Sequence, residues 1–162
     1  MIIGIDQSYT STGVAIVTEG GRLVESMAVT QRHKMTTRGL YQVATKVKEI
    51  VAGCQPEAEM IYIEGNSVSG SHSTTARRLA ELAGALKYAL YPLEVREVAM
   101  STWKSRIAKN KLRGVKKATK AGKAEYLRIA QELTGYEFAT TDESDAYMIA
   151  LCGRLECLAD LC

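Results

Sequence analysis

The chain has 162 residues and a formal net charge of +3, long enough to bury one core and short for two lobes that clamp a nucleotide. One domain over residues 1–162 is therefore expected. The first residues, Met1-Ile2-Ile3-Gly4-Ile5-Asp6, carry no basic region ahead of a long apolar run, and no later apolar run approaches membrane-spanning length, so a soluble, intracellular protein is expected.

Residues 2–6 are apolar up to Asp6, then Ser8, Thr10, Ser11, Thr12 and Gly13 mark a turn before the extended run Val14-Ala15-Ile16-Val17. Gly20-Gly21 precedes a third run, Leu23–Thr30, so the chain opens as a β-meander. Over Thr37–Ala52, the positions Leu40, Val43, Ala44, Val47, Ile50 and Val51 recur at helical spacing and predict an amphipathic helix.

Met60-Ile61-Tyr62-Ile63-Glu64 is a short apolar run ending on an acid and Gly65, which reads as a buried strand followed by a polar loop over residues 66–73. Leu79, Leu82, Ala83, Leu86 and Leu90 mark a second helix that stops near Pro92. Its Ala80, Ala83, Gly84 and Ala85 leave room for a close neighbour.

A short strand over residues 94–98 comes next, and helices are expected from about 118 to 133 and from about 142 onward. A meander followed by alternating helices and strands is an α/β pattern. Right-handed crossovers place the later strands parallel beside the first.

Charge is distributed unevenly. Residues 101–123 hold nine basic side chains and no acid: Lys104, Arg106, Lys109, Lys111, Arg113, Lys116, Lys117, Lys120 and Lys123. The other 12 basic residues face 18 acids, a formal −6 elsewhere. A solvated basic loop is one account of this run. A polyphosphate partner is the other, since phosphate neutralisation and counterion release supply most nucleic-acid affinity. Arg77 and Arg78 begin the second helix, where positive charge opposes the dipole, so a phosphate or plain solvent would serve them. Trp103, at a helix start, fits core packing better than base stacking.

Asp6 and Glu64 both close apolar β runs, and functional groups in open parallel sheets collect at the carboxyl ends of strands. Each alone is equally a surface acid at a strand end. Asp142 and Asp145 stand three residues apart at a helix start and share a face, whereas Glu143 points elsewhere. First-turn acids also complement the helix dipole, which accounts for Asp142 or Glu143 more easily than for Asp145.

Convergence of the four acids would cost roughly 4 kcal/mol for each pair 4 Å apart at an effective dielectric of 20. Such a cluster needs cations. Oxygen ligands without nearby Cys or His select hard ions, magnesium or manganese. Two such ions would activate water and stabilise a leaving oxygen, which points to phosphodiester hydrolysis. Cys54, Cys152, Cys157 and Cys162 have no CxxC spacing and no neighbouring His, so reduced thiols are expected instead of a zinc site or disulfides.

In order, Gly4-Ile5-Asp6 with Thr12-Gly13, Ile63-Glu64, Gly122-Lys123-Ala124 and Asp142-x-x-Asp145-Ala146 resemble the RuvC-like Holliday junction resolvases across nearly the whole chain. The resemblance implies an RNase H-like fold with a five-stranded mixed sheet flanked by helices. It implies a Mg2+-dependent homodimer in the cytoplasm of a bacterium or phage-infected cell, nicking opposed strands of four-way and other branched DNA. Asp6, Glu64, Asp142 and Asp145 would hold two ions, Mg2+ or Mn2+. Lys123 would be the catalytic lysine and Lys104 a second basic position, with the second helix as the dimer contact. Arg77, Arg78, Lys104, Lys109, Lys111, Lys116, Lys117 and Lys120 are the expected DNA-binding residues.

Three departures from the family pattern stand out. Gln7-Ser8 replaces the Pro-Gly common after the first aspartate, and Ser67 lies where bacterial members often carry an aromatic wedge. The segment between Lys104 and Lys123 is also longer and more basic than in typical bacterial members, and broader, less sequence-selective binding of branched DNA is the expectation that follows from it. Two other classes share part of the pattern: an actin-like ATPase or kinase, whose first phosphate loop opens similarly, and a non-catalytic branched-DNA module.

Overall fold

The computed structural model describes residues 1–8, 10–31, 36–54, 58, 60–65, 74–108 and 120–160. Five strands, β1 (Ile2–Asp6), β2 (Ser11–Val17), β3 (Leu23–Thr30), β4 (Met60–Gly65) and β5 (Val95–Ala99), form one sheet in the order β3-β2-β1-β4-β5. The meander β1-β2-β3 is antiparallel, and β4 and β5 add in parallel on the far side of β1. Five helices flank the sheet: α1 (Thr37–Ala52), α2 (Thr74–Leu90), α3 (Met100–Ala108), α4 (Lys120–Thr134) and α5 (Thr141–Asp160). The mixed sheet expected from the sequence is the one observed.

Strand alternation divides the core into two layers. Ile3, Ile5, Val14, Ile16, Ile61 and Ile63 face α1 and α2, where Val43, Val47, Val51, Leu82 and Leu86 meet them. Ile2, Ala15, Val17, Tyr62 and Val98 face the other way, onto Trp103, Tyr126, Ile129, Ala146, Ile149 and Ala150 of α3, α4 and α5. The second layer is the one that matters for chemistry, because residues 4, 6 and 64 share the parity of Ile2 and Tyr62 and so belong to the α5 side.

α1 begins where expected, with the Thr36 side chain accepting from the Gly39 amide as an N-cap. α2 starts at Thr74, a turn ahead of its first periodic leucine, and β5 sits one residue later than the sequence suggests. The larger difference is α3. Its residues are the leading part of the basic run, and the helix shows because Trp103 is 1% exposed, packed into the core instead of presented to a base. Among the described residues no helix is long and apolar enough to cross a membrane.

Candidate metal-dependent nuclease site

The site is built at the carboxyl ends of β1 and β4. These strands run parallel with Ile5 opposite Ile63, so the next residues along, Asp6 and Glu64, stand side by side on the α5 face, each still paired to its outer neighbour strand. Asp6 is 8% exposed, which is unusual for a carboxylate. Glu64 is half-buried, and its Oε1 is buried with no hydrogen-bond partner among the described residues.

The other two acids arrive on α5, which packs chiefly against β1 and β2. Its approach is closer than side chains normally allow. A Cβ on Gly13 would lie well inside contact distance of the Asp142 carbonyl, and one on Gly4 would do the same at the Ala146 carbonyl. Gly13 pairs with Asp6 across the β1–β2 ladder, so the glycine that admits the start of α5 is the residue beside the first aspartate. Here glycine is required by proximity, not by backbone conformation.

The first turn of α5 is anchored by a capping box. Thr140 Oγ1 accepts from the Glu143 amide at 3.2 Å and donates to Glu143 Oε1 at 3.1 Å. Ser26 Oγ of β3 donates to Glu143 Oε2 at 3.1 Å, and Glu143 is 5% exposed. Glu143 thus points away from the other acids, as its helical position predicts, and ties the helix to β3. Asp142 and Asp145 stay half-buried on the neighbouring face.

The charges of the other three acids all bear on Asp6. Asp6 is held well above the usual carboxylate range by burial first, then by the charges of Asp145, Glu64 and Asp142, and by a hydrogen bond with the Glu64 carboxyl. Burial above all pushes Asp145 up to about 7; Lys104 and Lys123 pull it down, while Glu64 and Asp142 push with the burial. The two lysines singled out in the sequence therefore both reach the field of Asp145.

Lys104 is held in place by aromatic rings. Its Nζ lies 4.7 Å from the Trp103 ring centroid and 5.3 Å from that of Tyr126, and those two rings meet edge-on at 5.7 Å. Lys123 is exposed near the start of α4. Arg77 and Arg78 are exposed at the start of α2, Arg77 within 3.8 Å of Glu81. Lys109, Lys111, Lys116 and Lys117, together with Ser67 and the Lys120 side chain, lie outside the described residues.

The donor set suits a hard divalent cation: oxygen ligands only, two carboxyls raised by burial first and by neighbouring acids after it, and a buried carboxylate oxygen on Glu64 without a partner among the described residues. Among the described residues no three acidic, His or Cys side chains already meet as ligands around one point, so the acids form an open cluster. The capping box and the two glycines were the parts not read from the sequence. Thr140-x-x-Glu143 is a legible capping signature; the glycines carried no local signal of helix contact.

The family model described as crossover junction endodeoxyribonuclease RuvC matches residues 2–153. The structure is similar to Thermus thermophilus RuvC in complex with a Holliday junction substrate, with a TM-score of 0.74 at 16% identity over 97% of this chain and 94% of that one. It is similar also to a second Thermus thermophilus RuvC structure, with a TM-score of 0.73 at 18% identity over 98% and 96% of the two chains. No curated protein sequence matches the chain. At these identities the structural likeness speaks for the fold, and the family rests on the match over residues 2–153, which sets aside the actin-like kinase. The chain belongs to the RuvC family of crossover junction endodeoxyribonucleases, metal-dependent nucleases that act on Holliday junctions.

Proposed function

We propose that the chain, as one nuclease domain, nicks opposed strands of four-way junctions and other branched DNA, with Asp6, Glu64, Asp142 and Asp145 as ligands for two divalent cations. The observation that carries this assignment is the raised Asp6 carboxyl, on which the charges of the three other acids all bear at the ends of two parallel strands. Two magnesium ions, or manganese in their place, would supply an activated water and charge compensation for the leaving oxygen.

The remaining work falls to the chain itself. Lys123, exposed and within the field of Asp145, neutralises charge that builds on the scissile phosphate. Lys104 supports it from its aromatic seat. Its ammonium is oriented by two rings and so loses less freedom when a phosphate arrives. Arg77 and Arg78 extend the positive surface at the start of α2, and the basic segment with Lys109, Lys111, Lys116, Lys117 and Lys120 provides further phosphate contacts.

Two nicks on opposed strands need two sites, and a homodimer through α2 supplies them. Ala80, Gly84 and Tyr88 follow one another at four-residue spacing on an exposed face, with open space around Gly84 and Tyr88 87% exposed.

The test is a nicking assay on linear, flap, three-way and four-way DNA in Mg2+ and Mn2+. Asp6→Asn and Asp145→Asn are expected to abolish cleavage while junction binding in Ca2+ or EDTA persists. Undiminished cutting by both variants would defeat the ligand assignment. Cleavage confined to one short sequence on four-way junctions would remove the broader substrate range.

A further inference from the structure

Gln7 follows Asp6 at the point where β1 leaves the sheet, and it is 6% exposed. Its side-chain Nε2 donates to the main-chain carbonyl of Glu64 at 2.7 Å. The backbone pairing of β1 with β4 ends at Ile5 opposite Ile63, so this bond lies just beyond the last rung and takes the place of one a longer strand would have made. The peptide carrying Glu64 is paired with Val98 of β5 on its other side, so on the β1 side the Gln7 amide is what holds it past the last rung.

The carbonyl that accepts this bond and the carboxylate side chain hang from the same Cα. A rotation of that peptide swings the Glu64 side chain relative to Asp6, and ligand sets work only within roughly 0.5 Å and 10–20° of the productive geometry. On the opposite side of the same turn, Thr12 Oγ1 donates to the Ser8 carbonyl at 3.1 Å without touching β4. Thr12 Oγ1 thus bonds within the turn, whereas Gln7 Nε2 reaches across to β4.

We propose that Gln7 is a positioning residue: its buried amide, bonded across the strand ends to the Glu64 main chain, holds the Glu64 carboxylate beside Asp6 in the geometry that ligates a divalent cation. This rests on the assignment of Glu64 as a ligand.

The decisive variant is Gln7→Met, which keeps the volume and removes the donor. Calorimetric titration with Mn2+ alone should show affinity falling roughly 10-fold, the low end of what removing a ligand-orienting partner does. The melting temperature in EDTA should stay within about 2 °C and junction binding in EDTA should be unchanged. Thr12→Val, which removes the turn's own bond, should leave Mn2+ affinity intact.

Unaltered Mn2+ affinity in Gln7→Met overturns the proposal, as does an equal loss in Thr12→Val. If Gln7→Met melts several degrees lower, Gln7→Asn takes its place, with an amide one methylene short of the Glu64 carbonyl; unaltered Mn2+ affinity there also overturns it. Glu64→Gln separates the two levels of the argument. If that variant binds Mn2+ as tightly as the unaltered protein, the ligand assignment fails. If it loses Mn2+ while Gln7→Met does not, only the role of Gln7 fails.

Discussion

Asp145 is a carboxyl whose ionisation works against the fold that buries it. Burial pushes it up to about 7, well above the 3.8 of an ordinary aspartate. The folded chain therefore binds this proton more tightly than the unfolded chain, and the stability so gained is full below about pH 4 and lost as the pH rises through about 7. Asp6 is shifted in the same direction. In EDTA the melting temperature should fall between pH 5 and 8, and Asp145→Asn should flatten that decline and melt roughly 4 °C or more above the unaltered protein at pH 8. A melting profile in which the asparagine variant is the less stable at pH 8 would show that the acids are already neutralised without metal. Adding Mn2+ should reverse the order, because cation binding rewards the ionised carboxylate. The coming together of these acids was legible because Asp6 and Glu64 end apolar runs and Asp142 and Asp145 share a helix face. The use of Gln7 was not, since a glutamine after a strand has no sequence feature that names the carbonyl it will meet.

At the level of elements, the docking of α5 is what brings the two pairs of acids together. The contact runs through Gly4 and Gly13, where any side chain would strike the helix backbone itself. Gly13→Ala should cost about 1–3 kcal/mol, the range for overpacking a close contact, and lower the melting temperature by several degrees. Because the strike is at the Asp142 carbonyl, cleavage should fall further than stability alone accounts for, which single-turnover assays well below the melting temperature can measure. A variant that melts lower yet cuts at the unaltered rate would show that the helix recoils without moving its acids. Helix periodicity predicted α1, α2, α4 and α5, each of which buries an apolar face of several turns. Of α3 only the start, at Trp103, was legible: nine residues, with Trp103 buried among them, give too short a period to read as a helix. Its existence depends on tertiary packing against Tyr126 and α5, which no local pattern records.

Across the whole molecule, charge and fold are segregated. The acids gather on the α5 side of the strand ends, and two of the basic residues from the 101–123 run, Lys104 and Lys123, come near enough to act on Asp145. The other lysines of that run extend the same stretch of sequence. Neutralising Lys109, Lys111, Lys116, Lys117 and Lys120 together should weaken junction binding and flatten its salt dependence, by about 0.9 in the log–log slope for each phosphate no longer neutralised by the protein. An unchanged slope would return the run to a solvated loop. The parallel placement of the later strands beside β1 followed from the alternation of strands and helices, and segmental charge pointed to nucleic acid. The preference for a branched substrate had no such general signature and came from the ordered motif set.

The close seat of α5 on β1 and β2 also decides when the site comes into being. Asp6 and Glu64 become neighbours as soon as two parallel strands pair, but Asp142 and Asp145 join them only once a helix from the far end of the sequence has docked. Contacts of such long sequence separation form late, because the intervening chain must be ordered before they are rewarded. A refolding chain should therefore gain cutting power together with its final tertiary protection and not before. If the four acids are the ligands proposed above, a half-folded molecule of an enzyme that breaks DNA strands would carry half a metal site and should not cut.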